Sequence, residues 1–222
     1  MSRVRLPRRF PQPALAALFF LLAPTAWAQL ADPAAQERET GSRTVIGAPN
    51  AQACSQYAAA GDKSDAAVAA CDRALRTERL ARPNRVATLI NRGAVHLRRG
   101  EGDPALSDFD AVIALDPRNA EAHLNRGAAL IMIHQLGPAV AAITEALSLG
   151  VREPHKAYYN RGAAREQLGD LRGAYEDYTT ALQIQPDWGP AEAELARFVR
   201  MRQERLAGML NGDVLVPAPQ HQ

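Results

Sequence analysis

Between residues 86 and 188 the apolar side chains fall three and four residues apart in successive stretches of about a dozen residues, separated by short polar breaks. That spacing lays them along one side of a helix, so the pattern predicts amphipathic helices such as Val86 to Arg98 and Pro104 to Leu115. The stretches come in pairs, and the pairs repeat. Asn-Arg-Gly stands at Asn91-Arg92-Gly93, at Asn125-Arg126-Gly127 and at Asn160-Arg161-Gly162, a period of about 34 residues. Counted from Gly93, a small residue follows at Ala105, an aromatic at Phe109, a small one at Val112 and a proline at Pro117. The same offsets from Gly162 reach Ala174, Tyr178, Ala181 and Pro186. From Gly127 they reach Ala139, Ile143 and Ala146, with Val151 in place of the proline, and this middle unit is one residue longer.

Packing gives the pattern a physical reason. Gly93 and Ala105 are small where two paired helices cross, which lets the axes approach while Phe109 fills the space beyond. Pro117 ends the second helix, since proline has no amide proton and disfavours helical geometry just before it. Asp103 before Pro104 reads as the N-cap of that helix. A single pair cannot bury its apolar stripe, so the pairs must stack.

The glycine in the first helix and the small, aromatic, small, proline series through the second resemble the tetratricopeptide repeat family. The resemblance covers Val86 to Trp188 and implies an all-α fold, a right-handed superhelical solenoid of stacked antiparallel helix pairs. The units are 86–119, 120–154 and 155–188. A degenerate hairpin over 50–85 precedes them. With Ala74 aligned on the small residue of the second helix, Cys54 falls near the Arg-Gly level of the first helix and Cys71 at the aromatic level of the second. Those levels face each other. The helix carrying Cys71 is expected to run on through Leu80 until Pro83 stops it. Residues 189–210, with Ala191, Leu195, Phe198, Val199 and Met201 among Glu and Arg, read as a capping helix with one face for the stack and one for water.

Charge changes the picture at the N-terminus. Arg3, Arg5, Arg8 and Arg9 precede an apolar run from Ala14 to Ala23 and then Ala26-Trp27-Ala28, the layout of a signal peptide over 1–28 cut after Ala28. The run is about half of the roughly 20 residues that a membrane span needs. Arg8-Arg9 invites a twin-arginine reading, but the flanking prolines favour ordinary export, and no cysteine near the cleavage point signals a lipid anchor. The expected location is therefore periplasmic. The chain holds 26 basic and 24 acidic residues. Residues 1–28 hold four arginines and no acid, which leaves 22 against 24 and a mature charge of about −2. That balance gives no support to nucleic-acid binding. Residues 29–49 and 211–222 lack helical periodicity and read as a flexible linker and tail. In an oxidising compartment Cys54 and Cys71 predict one disulfide, the alternative being two small buried thiols.

No catalytic constellation is present: no Gly-x-Ser-x-Gly, no Cys-x-x-Cys, no phosphate-binding glycine loop and no His-Glu-x-x-His. His96, His123, His134, His155 and His221 are never within four residues of one another, so no metal and no cofactor is signalled. Asp103, Asp108 and Asp110 crowd one helix start, where capping and the helix dipole account for them without calcium.

What remains is a surface. Residues two before each glycine lie about 200° round the helix from it, so Asn91, Asn125 and Asn160 point away from the partner helix. In the tetratricopeptide fold that direction is the concave wall. Ile90, Leu124 and Tyr159 accompany them, and with Arg126 and Lys156 they form the expected protein-binding groove, an amide ladder for an extended peptide backbone flanked by apolar contacts. Asp108 and Asp177 are placed to brace Arg92 and Arg161 within their units. Unit two has Ala142 at that place, so Arg126 either pairs across units or stays open to a ligand carboxylate. Some family members hold a peptide C-terminus with a lysine, asparagine and arginine clamp. Asn125 and Lys156 match it, but Ile90, Ala94 and Asn160 replace three other members, so such a clamp is not expected. The sequence thus points to a non-catalytic module of the cell envelope that binds a peptide or protein, without nucleic acid, metal or membrane insertion. The alternative is an assembly or secretion accessory that uses its convex face or termini and leaves the groove empty.

Overall fold

A computed structural model describes residues 48–210 of the chain, with side chains up to 204. Among the described residues every regular element is a helix: α1 (Pro49–Ala59), α2 (Asp65–Thr77), α3 (Arg82–Arg99), α4 (Gly102–Leu115), α5 (Ala120–Met132), α6 (Leu136–Ser148), α7 (Pro154–Gln167), α8 (Leu171–Ile184) and α9 (Gly189–Leu210). They pack as four hairpins, α1 with α2, α3 with α4, α5 with α6 and α7 with α8. Each hairpin packs on the next, and α9 lies on α8 at the end of the stack. The solenoid of helix pairs is therefore present, with one more hairpin than the three clear repeats. The expected signal segment 1–28, nearly all of the expected linker and the expected tail 211–222 lie outside the described residues.

The repeated glycine marks a close approach between the two helices of each of the three repeats. A Cβ added at Gly93 would stand 2.7 Å from Cζ of Phe109, and one added at Gly162 would stand 2.9 Å from Cε1 of Tyr178. At Gly127 the filling side chain is Ile143. Phe109, Ile143 and Tyr178 are almost wholly buried, so glycine and large residue are one packing device. The turn inside each hairpin adds a second periodic feature. Gly61, Gly100 and Gly169 take positive φ there, and in the third hairpin His134 holds the same left-handed geometry at φ 59°. His134 thus occupies a turn position that glycine fills in the other hairpins.

Several helix ends differ from the sequence reading. α2 stops at Thr77 and not at Leu80, because Glu78 turns extended and spends its carboxylate on the start of α1: Asn50 N–H and Ala51 N–H donate to it at 2.7 and 3.1 Å. Pro83 does not end that helix but lies in the first turn of α3, where its missing N–H costs nothing. Pro154 begins α7 in the same way. Asp103 is not the N-cap of α4. The helix starts at Gly102 after Glu101, and Asp103 sits in its first turn, where a carboxylate favours the positive end of the dipole. Glu101 makes no capping bond either, since His96 Nδ1 at 2.6 Å and Arg99 Nε at 2.7 Å occupy its oxygens. Those two contacts hold its carboxyl below the usual carboxylate range.

Cys54 and Cys71 are joined by a disulfide between α1 and α2, with their Cα atoms 4.7 Å apart. The alternative of two free thiols is closed. Both cysteines are fully buried, and the rest of that hairpin's core is alanine: Ala51, Ala58, Ala67, Ala70 and Ala74.

Candidate functional site

The first helices of the three repeats, α3, α5 and α7, touch in series and so form one continuous wall. Asn91, Asn125 and Asn160 repeat along it. Asn91 is half-buried, while Asn125 and Asn160 are only 8% and 4% exposed. Neither Asn125 nor Asn160 donates or accepts a side-chain hydrogen bond with any described residue. A carboxamide offers two donors and an acceptor, and no polar atom of either side chain is wholly cut off from water, so both can exchange that water for whatever lies along the wall. Two such groups, one repeat apart, are the feature of this wall that packing does not explain.

The apolar companions are placed differently from expectation. Leu124 is buried among Leu130, Ile131, Ile143 and Val151, inside the stack. Tyr159 is 5% exposed and wedged between Tyr178 and Trp188, with ring centroids at 5.5 and 5.1 Å. Ile90 is half-buried against Leu89, Val112 and Ala122. The reason is angular. A residue three before the glycine lies about 300° round the helix, only about 60° short of the glycine's own direction, and so points into the seam between units. Ala94 and Ala128, at 6% exposed, leave no pocket wall of their own. The wall is therefore chiefly an amide surface on a packed apolar base.

The arginines belong to the seams. Arg92 makes a fork with Asp108, its Nε donating at 2.9 Å and its Nη2 at 2.5 Å, while Nη1 reaches Asp72 of the preceding hairpin at 2.6 Å. Arg161 forks onto Asp177 at 3.0 and 2.8 Å and reaches Thr144 of the preceding hairpin at 3.2 Å. Arg126, which has Ala142 where the other units have Asp108 and Asp177, donates to Asp110 of the preceding hairpin at 2.6 Å. Of the two outcomes the sequence left open for Arg126, the structure has the pair across units. Asp72, Asp110 and Thr144 each follow Cys71, Phe109 and Ile143 directly. The residue after the large buried one is thus where the next repeat's arginine lands, a signal the sequence carried but that counting within units could not reveal. Lys156 is likewise engaged, its Nζ donating to Glu153 at 2.9 Å. No described cation is left facing the asparagines from these positions.

Electrostatics at the C-terminal end follow from burial. Burial, reinforced by Glu194 and Glu166, pushes the Tyr159 hydroxyl up to about 12 from the ordinary value near 10, and Tyr178 is raised further for the same reason. Tyr178 Oη donates to Glu166 at 3.1 Å, a bond only its neutral form makes. Since the folded form holds these protons more tightly than the unfolded chain, their stabilising contribution is complete below about pH 10 and falls as pH rises towards about 12. An alkaline titration followed by near-ultraviolet absorbance should show tyrosines ionising late and together with loss of helicity. Substitution Y159F should remove part of that transition.

Among the described residues no group of three or more His, Cys, Asp or Glu side chains could hold a metal ion, and no helix is long and apolar enough to cross a membrane.

Comparison with known proteins agrees with this architecture. The tetratricopeptide repeat profile matches residues 155–187. RNA polymerase II-associated protein 3 of Xenopus laevis is 32% identical over 106 residues, which are 48% of this chain and only 16% of that protein. Among solved structures, the first tetratricopeptide domain of Spaghetti (RPAP3) bound to the HSP90 peptide SRMEEVD is 28% identical, with a TM-score of 0.50, over 54% of this chain and 96% of that one. MamA is 26% identical with a TM-score of 0.56, over 72% of this chain and 85% of that one.

Proposed function

We propose that this chain, a member of the tetratricopeptide repeat family, is a non-catalytic module that binds an extended protein segment along the wall of α3, α5 and α7, within the periplasm of the cell that exports it. The observation that carries the reading is the pair Asn125 and Asn160, nearly buried and without partners among the described residues. A peptide backbone running past them would supply an N–H and a C=O to each in place of the water they reach. The first domain of Spaghetti, similar in fold, is solved with a peptide, which supports the mode in general. The layout of residues 1–28 supports export.

The same geometry narrows the partner. SRMEEVD, the peptide on Spaghetti, is rich in acids and ends in one. Here Lys156 is tied to Glu153 and Arg126 to Asp110, so the wall offers an acidic terminus no open cation at these positions. The segment that fits is internal and uncharged where it crosses the asparagines.

Peptides selected by display against the wild-type protein provide the test. Substitutions N125A and N160A together should weaken such peptides by at least tenfold, at about 1.4 kcal/mol per tenfold. They should leave the melting temperature nearly unchanged, since neither carboxamide bonds to a described residue and both reach water. Unchanged peptide affinity would defeat the proposal. A second reading, assembly through the C-terminal end, draws on the exposed apolar residues Leu168, Leu171, Tyr175, Val199 and Met201 of α8, α9 and the turn before α8. Under that reading L171E with Y175E abolishes association and N125A with N160A does not.

A further inference from the structure

Five arginines stand at every third position across the junction of the second and third helices: Arg73, Arg76, Arg79, Arg82 and Arg85. All five are exposed. Asp72 just before the row is shared by Arg92 at 2.6 Å and Arg76 at 4.0 Å, Arg73 donates to Asn50 at 3.3 Å, and Glu78 within the row accepts from the first backbone N–H groups of α1. Arg79, Arg82 and Arg85 form no ion pair with any described residue, whereas Arg92, Arg99, Arg126, Arg152, Arg161 and Arg197 all do. Arg82 and Arg85 also open α3, whose first turn has no acid, so they set positive charge at the positive end of the helix dipole. Arg118, exposed in the next connection, lies on the same edge, because Leu75 and Val86 share one cluster with Leu115 and Ala122.

We infer that this arginine edge is a peripheral contact surface for a bilayer carrying anionic phospholipid headgroups. The edge is a row of exposed arginines, and the large apolar residues within it are turned inward, Leu75 into the seam with the next hairpin and Leu80 against Ala48, Ala51 and Ala74, which leaves only Ala81 and Pro83 as exposed apolar residues between the arginines. It thus presents guanidinium groups without the apolar centre that a protein interface is built on. No aromatic residue lies between 72 and 85 to stack a nucleic-acid base. Guanidinium groups form forked bonds with phosphate and keep their charge at any accessible pH, so a plane of phosphodiesters satisfies the row without a shaped pocket. Such contact is electrostatic, lies in the plane of the headgroups, and requires no insertion.

The test is co-sedimentation of the protein, purified in the form the cell accumulates, with vesicles of phosphatidylcholine alone or mixed with phosphatidylglycerol. The protein should pellet only with the anionic vesicles, and high salt should release it. Each arginine at an anionic surface contributes roughly fivefold to partitioning, so R79Q/R82Q/R85Q should bind ~100-fold more weakly with unchanged helicity. The single substitution R82Q, at roughly fivefold, serves if the triple variant does not fold. The groove variant N125A/N160A should pellet like wild type, which separates this surface from the peptide site. Equal pelleting of wild type and R79Q/R82Q/R85Q, no pelleting with anionic vesicles, or stronger association with duplex DNA or polyglutamate would each overturn the inference.

Discussion

Substitution R92M should cost about 3–5 kcal/mol, because it strands the carboxylate of Asp108 inside the second hairpin. Asp108 is 2% exposed, and both of its oxygens are held by the Arg92 fork. With the guanidinium gone the carboxylate has neither water nor a countercharge. A second variant makes the result diagnostic. The double variant R92M/D108L should recover most of the loss, because replacing a whole buried pair by apolar groups is often near neutral. A loss below about 1 kcal/mol for R92M would mean that the fork is worth no more than an exposed pair.

Removing the disulfide by C54S/C71S should cost on the order of 3 kcal/mol, the loop-closure contribution of a bridge of this span. The effect should fall on one end of the molecule. Alanines bury little apolar surface, and they are nearly all that α1 and α2 have between them apart from the bridge. Hydrogen exchange over residues 48–77 should therefore become fast in the variant while α5 to α8 stay protected. Reductant should lower the melting temperature of wild type and leave the variant unmoved. Retained protection of α1 and α2 after reduction would show that their packing suffices without the bridge.

The parts of the fold that the sequence made legible depend on contacts inside one hairpin. Glycine against Phe109 or Tyr178, Arg92 against Asp108 and Cys54 against Cys71 all follow from offsets within a unit. Contacts between units were harder to see, because they depend on how hairpins stack, and no offset inside one unit reports that. Arg126 shows the difference: its partner Asp110 lies 16 residues upstream, in a unit the internal count did not consult. Helix ends failed for another reason. Asp103 and Pro83 carry strong local signals, yet Glu101 was claimed by His96 and Arg99, and Glu78 by α1, so side chains from elsewhere decided where the helices began and stopped. The candidate wall was half legible. The direction of the asparagines follows from about 100° per residue, but the burial of Leu124 and Tyr159 follows from the next unit's approach.

The arginine that each repeat sends back to its predecessor does not meet the same chemistry at every seam. At the two N-terminal seams it meets a carboxylate, Asp72 or Asp110, each partly open to water, and at the third it meets the hydroxyl of Thr144. Ionic links of that exposure weaken as salt rises, whereas a bond to a hydroxyl scarcely responds. In a stack whose stability is a sum over nearest neighbours, the coupling between units is then graded along the axis. Rising ionic strength should loosen the two hairpins before α5 from one another and from α5 first, and the C-terminal pair of hairpins should persist as the block that unfolds last.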